Sequence, residues 1–173
     1  MYYNLQVHSA YDLLNSTIKY ESLFSKLAKD NQKSVVIVDP NMYGAIKAHK
    51  ASKKVGINLI QGLEVNLGYG IGLLKLNLLC KTEKMFYKLL EISTKFMNGE
   101  EWTVEDFSND MIDYSEDFVL IVVDELRDSM EFSYLKNLLS EYDFYFGFNE
   151  SFQVGIYSDY DNIVYTKPSF YLN

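Results

Sequence analysis

The sequence predicts an α/β protein whose strands form either a parallel sheet or a β/α barrel. Short apolar runs alternate with amphipathic stretches along the chain, and a parallel strand pair needs a long crossover, usually a helix. Apolar residues make up 48% of the 173 residues, which is enough for one well-buried core. We therefore expect a single domain over residues 1–173.

The first half contains the clearest elements. Residues 35–39 form a β-branched run ending in Asp39, which is typical of a strand buried on both faces. A helix is predicted over 44–55, ending at Gly56, and its inward residues are expected to be Ala45, Ile46, Ala48 and Ala51. The other expected elements are strands over 5–8, 57–65 and 73–80, a helix capped by Ser16 or Thr17, and a helix from Thr82 to about 96.

The second half repeats this alternation less regularly. Thr103 and Asp106 fit a capping box, and the glycine-rich residues 68–72 predict a turn between strands. The remaining expected elements are strands over 118–123, 144–148 and 163–166 and a helix over 130–139. Because the sequence stops soon after a strand, without a closing helix, we expect a barrel truncated at its C-terminal end.

The charge is unevenly distributed along the chain. Residues 1–86 hold 11 Lys or Arg and 6 Asp or Glu, whereas residues 87–173 hold 5 and 18, which gives the net charge of −8. An anionic protein repels phosphate backbones, so we expect no strong DNA binding by the isolated domain. The acidic half is either a solvated surface or a face for a basic partner.

Several classes of protein are excluded by composition. The longest apolar run, 118–123, is far shorter than the roughly 18 residues that span a bilayer, and the N-terminus lacks the pattern of a signal peptide. A soluble cytoplasmic protein is therefore expected. Cys80 is the single cysteine, which excludes a disulfide framework and a Cys-rich zinc site. We expect it to be a small buried apolar residue, and His49, among lysines, to be a surface residue.

Three ligand-type side chains fall where predicted strands end: His8, Asp39 and Glu64. Because the carboxyl ends of parallel strands meet at one edge, we expect them to lie close together. An imidazole and two carboxylates could bind Zn²⁺, Mn²⁺ or Fe²⁺ and activate a water molecule. The same residues also fit a hydrogen-bonded polar cluster without metal.

Four ordered blocks resemble the start of the bacterial DNA polymerase III alpha subunit. NLQVHSAYDLLNS at 4–16 resembles its H-x-H-x-H-S-x-Y-S-L-L-D-G, and VDPNMYGA at 38–45 resembles T-D-H-G-N-M-Y-G-A with one residue fewer. KASKKVGI at 50–57 followed by IQGLEV at 60–65 resembles K-A-x-K-x-G-I-K-P-I-x-G-x-E-V. YTKPSFYLN at 165–173 follows the frame of A-T-N-D-V-H-Y-L-N. The resemblance is strong over 2–97 and weak over 98–143.

The resemblance implies a PHP (polymerase and histidinol phosphatase) domain, a TIM-like, distorted seven-stranded barrel. In that family several metals bind His and Asp ligands at the barrel mouth. Of the ligand positions that align, His8, Asp39 and Glu64 are retained as vestigial ligands. The lost positions are Gln6, Asn15, Pro40, Lys75, Pro168 and Phe170. A lysine at the mouth would repel dications and pair with a carboxylate.

The resemblance therefore implies the N-terminal PHP domain of a replicative DNA polymerase, as a fragment of a much longer enzyme. We expect the domain itself to be a non-catalytic structural and interaction module, without catalytic residues or a cofactor. At most it would hold one weak Zn²⁺ or Mn²⁺ at His8, Asp39 and Glu64. The expected partners are the other polymerase domains and a proofreading exonuclease subunit. The alternative is a metal-dependent phosphoesterase or 3′–5′ exonuclease.

Overall fold

A computed structural model describes residues 4–123, 129–149 and 161–171 of the chain. These residues form α-helices and strands in alternation, with one 3₁₀ turn at Ile112–Tyr114. The strands are β1 (Ser34–Asp39), β2 (Asn58–Tyr69), β3 (Gly72–Cys80), β4 (Phe118–Val122), β5 (Phe144–Phe148) and β6 (Ile163–Tyr165). The helices are α1 (Tyr20–Lys29), α2 (Ala45–Val55), α3 (Glu83–Met97), α4 (Val104–Met111) and α5 (Ser129–Leu138).

The strands form one curled, mixed sheet in chain order, from β1 to β6. The predicted α/β class is confirmed. The sheet is mixed because β3 is antiparallel to both β2 and β4, and the turn predicted at residues 68–72 lies between β2 and β3. Gly70 and Ile71 join β2 to β3 directly, and Gly70 has a φ of 57° that suits glycine. A two-residue turn leaves no room for a crossover, so the chain must reverse.

The N-terminal segment meets both ends of this sheet. Val7 forms parallel bridges to Ile37 of β1 and to Ser169, which follows β6. The Val7 amide donates to the Val36 carbonyl at 3.2 Å, and the His8 amide donates to the Ser169 carbonyl at 3.0 Å. The strand predicted at 5–8 is therefore a single bridging residue that links the first strand to the end of the described chain.

Strand β1 is buried on both faces, as its β-branched run predicts. Val36 and Val38 pack inside the curled sheet with Leu79 and Ile121. Val35 and Ile37 face the opposite way and pack with helix α1 and with Ala48 of α2. A larger core fills the space between the outer face of the sheet and helices α3 to α5. This alternation follows from the two-residue period of a strand.

Helix ends agree with most of the sequence signals. Thr103 and Asp106 form the predicted capping box of α4, Thr82 caps α3, and Gly56 ends α2 with a φ of 69°. Helix α1 differs, because it begins at Tyr20 and Lys19 at its N-cap makes no side-chain cap. The hydroxyl of Ser16 instead lies 2.7 Å from the His8 carbonyl and 2.9 Å from the Phe170 carbonyl.

Ile46 is the second departure from the predicted pattern. It was expected to face inward, yet it is 60% exposed. Ala45 and Ala48 take buried positions of α2, which packs against α1 and β2.

Replacing Gly44 by Ala should lower the free energy of unfolding by about 1.5 kcal/mol, because the added methyl overpacks a buried layer. A Cβ on Gly44 would meet the hydroxyl of Tyr20 and would lie 2.6 Å from Cδ2 of Tyr11. Urea denaturation measures the loss, and Gly72→Ala is the matched control because the nearest neighbour of its Cβ would be the Tyr69 carbonyl oxygen, at 4.0 Å. The loss should shrink in a Tyr20→Phe background, since the hydroxyl is gone; an equal loss in both backgrounds would contradict this explanation.

Candidate functional site

A polar cavity of about 270 Å³ opens at one end of the curled sheet. The carboxyl ends of β4, β5 and β6 reach this end with Val123, Asn149 and Thr166. Because β3 runs the opposite way, its beginning lies here and places Lys75 in the cavity. The cavity is lined by Gln6, His8, Asp12, Asn15, Glu64, Lys75, Val123, Gly147, Asn149, Thr166, Pro168 and Phe170.

His8 is the most enclosed polar residue of the cavity, with 1% of its surface exposed. Its Nδ1 lies 3.0 Å from Oδ2 of Asp12, although the contact lacks the alignment of a hydrogen bond. Its Nε2 lies 3.9 Å from Oε2 of Glu64 and 3.3 Å from Nε2 of Gln6. The ring of Phe170 stacks on the imidazole at 4.6 Å between centroids. His8 is thus held by one aromatic face and by polar groups at both nitrogens.

Lys75 supplies a positive charge at the mouth of the cavity. Its Nζ lies 3.4 Å from Oε1 of Glu64, and 44% of the Lys75 side chain is exposed against 10% for Glu64. The ammonium therefore reaches from solvent onto a mostly buried carboxylate and partly neutralises it. Its position is the one from which a dication bound to Glu64 would be repelled.

The residues at the mouth do not fit a multi-metal cluster. Within the described parts of the chain, no group of three or more His, Cys, Asp and Glu side chains is arranged to hold a metal ion. Gln6 and Asn15 offer only amide oxygens, and Asn15 donates from Nδ2 to Asp12 Oδ1 at 2.9 Å. Amide oxygens are weak ligands for zinc and similar metals, and Pro168 and Phe170 supply no side-chain ligand atom.

Asp39 does not line the cavity, although the sequence predicted it beside His8 and Glu64. Its Oδ1 accepts a hydrogen bond from the Ser9 amide at 2.7 Å, and its Oδ2 accepts one from the Ser9 hydroxyl at 2.5 Å. The hydroxyl of Tyr20 lies 3.4 Å from the same oxygen. Burial raises the pKa of Asp39, while the hydrogen bonds from Ser9 oppose the rise. The structure therefore brings two of the three residues together and holds Asp39 in a separate hydrogen-bonded network.

The other aligned positions are also divided by the structure. Gln6, Asn15, Lys75, Pro168 and Phe170 all line the cavity. Pro40, in contrast, is half-buried after β1 and lies outside the cavity lining. Five of the six positions that the resemblance assigns as lost ligands therefore share one cavity.

Three polar side chains of the cavity are not among the residues that the sequence predicts for the site. Asp12 follows His8 by four residues, and Asn149 and Thr166 directly follow β5 and β6. The rule that selected His8, Asp39 and Glu64, namely polar residues at strand ends, would also have selected Asn149 and Thr166. Asp12 had no such signal, because it lies in the irregular segment between the Val7 bridge and α1.

Two residues interpreted as non-functional have ordinary surroundings. His49 is exposed on α2, as predicted. Cys80 is half-buried, its Sγ donates to the Thr82 carbonyl at 2.9 Å, and burial raises the pKa of its thiol. A thiol with a raised pKa is a poor nucleophile near neutral pH.

The raised pKa of Asp39 predicts a pH-dependent stability. The folded protein holds the proton more tightly than the unfolded chain, so the contribution of Asp39 falls as pH rises from its ordinary pKa of about 3.9 through its higher folded pKa. We expect Asp39→Asn, which removes the charge and keeps the shape, to gain stability relative to the unmodified protein over this window. Urea denaturation of both proteins from about pH 4 to pH 8 measures this difference in the free energy of unfolding. Parallel pH profiles for the two proteins would contradict the prediction.

Comparisons with known proteins agree on one family. A model of the PHP domain matches residues 4–153. DNA polymerase III subunit alpha of Mycoplasma genitalium is 36% identical over 93 residues, and that of Bacillus subtilis strain 168 is 40% identical over 95 residues. These matches cover 54% and 53% of this chain but only 11% and 8% of the relatives. The subunit of Borreliella burgdorferi is 32% identical over 129 residues, or 67% of this chain and 11% of that protein.

Solved structures show the same fold at low identity. A presumed metal-dependent phosphoesterase from Bifidobacterium adolescentis has a TM-score of 0.66 at 10% identity, covering 95% of this chain and 86% of that one. An amidohydrolase from Chromobacterium violaceum has a TM-score of 0.61 at 10% identity, covering 97% and 86%. None of the described helices is long and apolar enough to cross a membrane.

Proposed function

Since the chain belongs to the PHP domain family, we propose that it is a non-catalytic structural and interaction module of a DNA polymerase III alpha subunit. Its sequence relatives are alpha subunits, and the chain spans about a tenth of their length. Its proposed partners are the other polymerase domains and a proofreading exonuclease subunit. The proposed compartment is the cytoplasm.

The contact between Lys75 and Glu64 carries the proposal. The resemblance places metal ligands at both positions, yet here an ammonium lies 3.4 Å from a carboxylate that is 10% exposed. Hydrolysis with a metal-activated water needs positive charge that can polarise phosphate and lower the pKa of water. A lysine supplies charge but cannot bind the water as a Lewis acid. The Lys75–Glu64 pair therefore supports a structural rather than a catalytic role for this site.

The alternative function is that of a metal-dependent phosphoesterase or exonuclease. One observation favours it: His8, Asp12 and Glu64 remain together at an open cavity, with His8 within 3.9 Å of both carboxylates. These residues supply too few ligands for a two-metal displacement. An imidazole with a single carboxylate near each nitrogen equally fits a polar cluster without metal.

Metal content and hydrolysis together test the proposal. Purified protein is analysed for bound metals and then assayed with Mn²⁺ or Zn²⁺ against a phosphate ester and single-stranded DNA. We expect less than one tightly held metal per chain and no turnover above that of a His8→Ala variant. His49→Ala is the matched control, because it removes the exposed histidine. Turnover lost in His8→Ala but kept in His49→Ala would reject the non-catalytic role.

The context of the coding sequence tests the second part of the proposal. If the domain belongs to a polymerase, the reading frame beyond Asn173 should encode a polymerase body with its metal-binding carboxylates. Sequencing that region measures this directly. A stop codon immediately downstream would reject the assignment to an alpha subunit, whatever the result of the metal analysis.

A further inference from the structure

A second, larger groove lies on the outside of the fold, between helices α1 and α2. Its volume is about 730 Å³, and it shares no lining residue with the cavity at the mouth. Ala28, Ala51 and Val55 form its apolar surface, with Val55 41% exposed, and the buried Phe24, 1% exposed, lies beneath them. Small residues on both helices leave space in which a third helix can approach closely.

Lysines surround this apolar surface. Lys29, Lys47, Lys50 and Lys54 line the groove together with a single acid, Glu21. Glu21 lies 3.5 Å from Lys47. For Lys29, Lys50 and Lys54, no carboxylate of the described residues lies within 4.0 Å of the ammonium. Four lysines and one glutamate give this groove a charge of +3, on a protein whose net charge is −8.

The apolar surface and the surrounding lysines together indicate what kind of molecule the groove can bind. An apolar floor between two helices is the surface on which an amphipathic helix lays its apolar face. Exposed lysines along both sides favour carboxylates on the flanks of that helix and disfavour a basic helix. A phosphate backbone would use the lysines but leave the apolar floor uncovered, and it would be repelled by the anionic remainder of the protein.

We infer that the groove between α1 and α2 binds an acidic amphipathic helix of another polypeptide. The helix lies beside α1 and α2 as a third member of their layer, with alanine-sized and leucine-sized side chains on Ala28, Ala51 and Val55. Glutamates on its flanks pair with Lys29, Lys50 and Lys54. This interaction is separate from the mouth of the barrel and does not depend on whether that site is catalytic.

The test uses the 173-residue protein and a synthetic helical peptide of about 18 residues. One face of the peptide carries Leu and Ala and the other carries Glu; a second peptide replaces every Glu by Lys. Titration of the ¹⁵N-labelled protein is followed by NMR. Only the acidic peptide should bind, shift changes should concentrate in α1 and α2, and affinity should fall several-fold from about 0.1 M to about 0.3 M salt because the charges are exposed.

Two single substitutions on α2 sharpen the test. Lys50→Glu reverses a charge in the groove and should weaken peptide binding at least about fivefold. Lys53→Glu makes the same charge change on the same helix outside the groove, and it should leave the affinity within about twofold. Lys50→Gln provides a milder variant if Lys50→Glu does not fold, as judged by circular dichroism.

Several results would overturn the inference. No binding of the acidic peptide, or equal binding of the Lys peptide, would reject it. Tighter binding of a single-stranded oligonucleotide, lost in Lys50→Glu, would show a nucleic-acid site instead. Self-association in sedimentation experiments that is lost in Lys50→Glu but kept in Lys53→Glu would identify the occupant as a second copy of this chain.

Discussion

Replacing Asp39 by Ala should lower the free energy of unfolding by about 3 kcal/mol, because it strands buried hydrogen-bond donors. The Ser9 amide and hydroxyl both donate to Asp39, and the Tyr20 hydroxyl lies within 3.4 Å. Asp39, Ser9 and Tyr20 are each at most 2% exposed, so water cannot readily replace the lost carboxylate. A loss of this size would indicate that Asp39 stabilises the fold through hydrogen bonds, although the resemblance to the PHP family implies a metal ligand at this position.

Chemical denaturation with and without a chelator distinguishes the two roles. A scaffold residue should show the same loss in both conditions, whereas a metal ligand should lose stability only when metal was bound. Asp113→Ala is the control, since Asp113 is exposed and its removal should change stability by less than about 0.5 kcal/mol. A loss below about 1 kcal/mol for Asp39→Ala, or one that disappears in chelator, would contradict the scaffold role.

Replacing Phe118 by Ala should cost about 4 kcal/mol, the largest effect that we expect from a single substitution here. Phe118 begins β4 and is fully buried. Its ring lies 5.5 Å from that of Tyr142 and 6.4 Å from that of Phe107. Removing the ring leaves a cavity between the sheet and the layer of α4, where the two neighbouring rings cannot both move inward.

Urea denaturation of Phe118→Ala measures the cost, with Tyr87→Ala as the control. Tyr87 is 62% exposed on α3, so its removal should change the free energy of unfolding by less than about 0.5 kcal/mol. The slope of the transition should stay constant, because the surface exposed on unfolding is nearly unchanged. A cost below about 2 kcal/mol would show that the aromatic cluster repacks around the missing ring.

Much of the local structure follows from the sequence because its cause is local. The β-branched run of β1, the capping box at Thr103 and Asp106, and the left-handed Gly56 each depend on residues within one turn or one strand. The resemblance to the PHP family likewise rests on ordered blocks of residues, and it implies the PHP-type barrel and the positions around the mouth. Five of the six lost ligand positions line one cavity.

What the tertiary structure decided depends on residues that are far apart in the chain. The direction of β3 places Lys75 against Glu64 across a strand pair. Asp39 is contacted by Ser9 and by Tyr20 of α1 and does not line the cavity that holds His8. The groove between α1 and α2 likewise exists only where the two helices pack together. Periodicity and capping predict which residues share a helix or a strand. The charged and hydrogen-bonding groups around a side chain come from neighbouring elements, because these contacts act through space over a few ångströms.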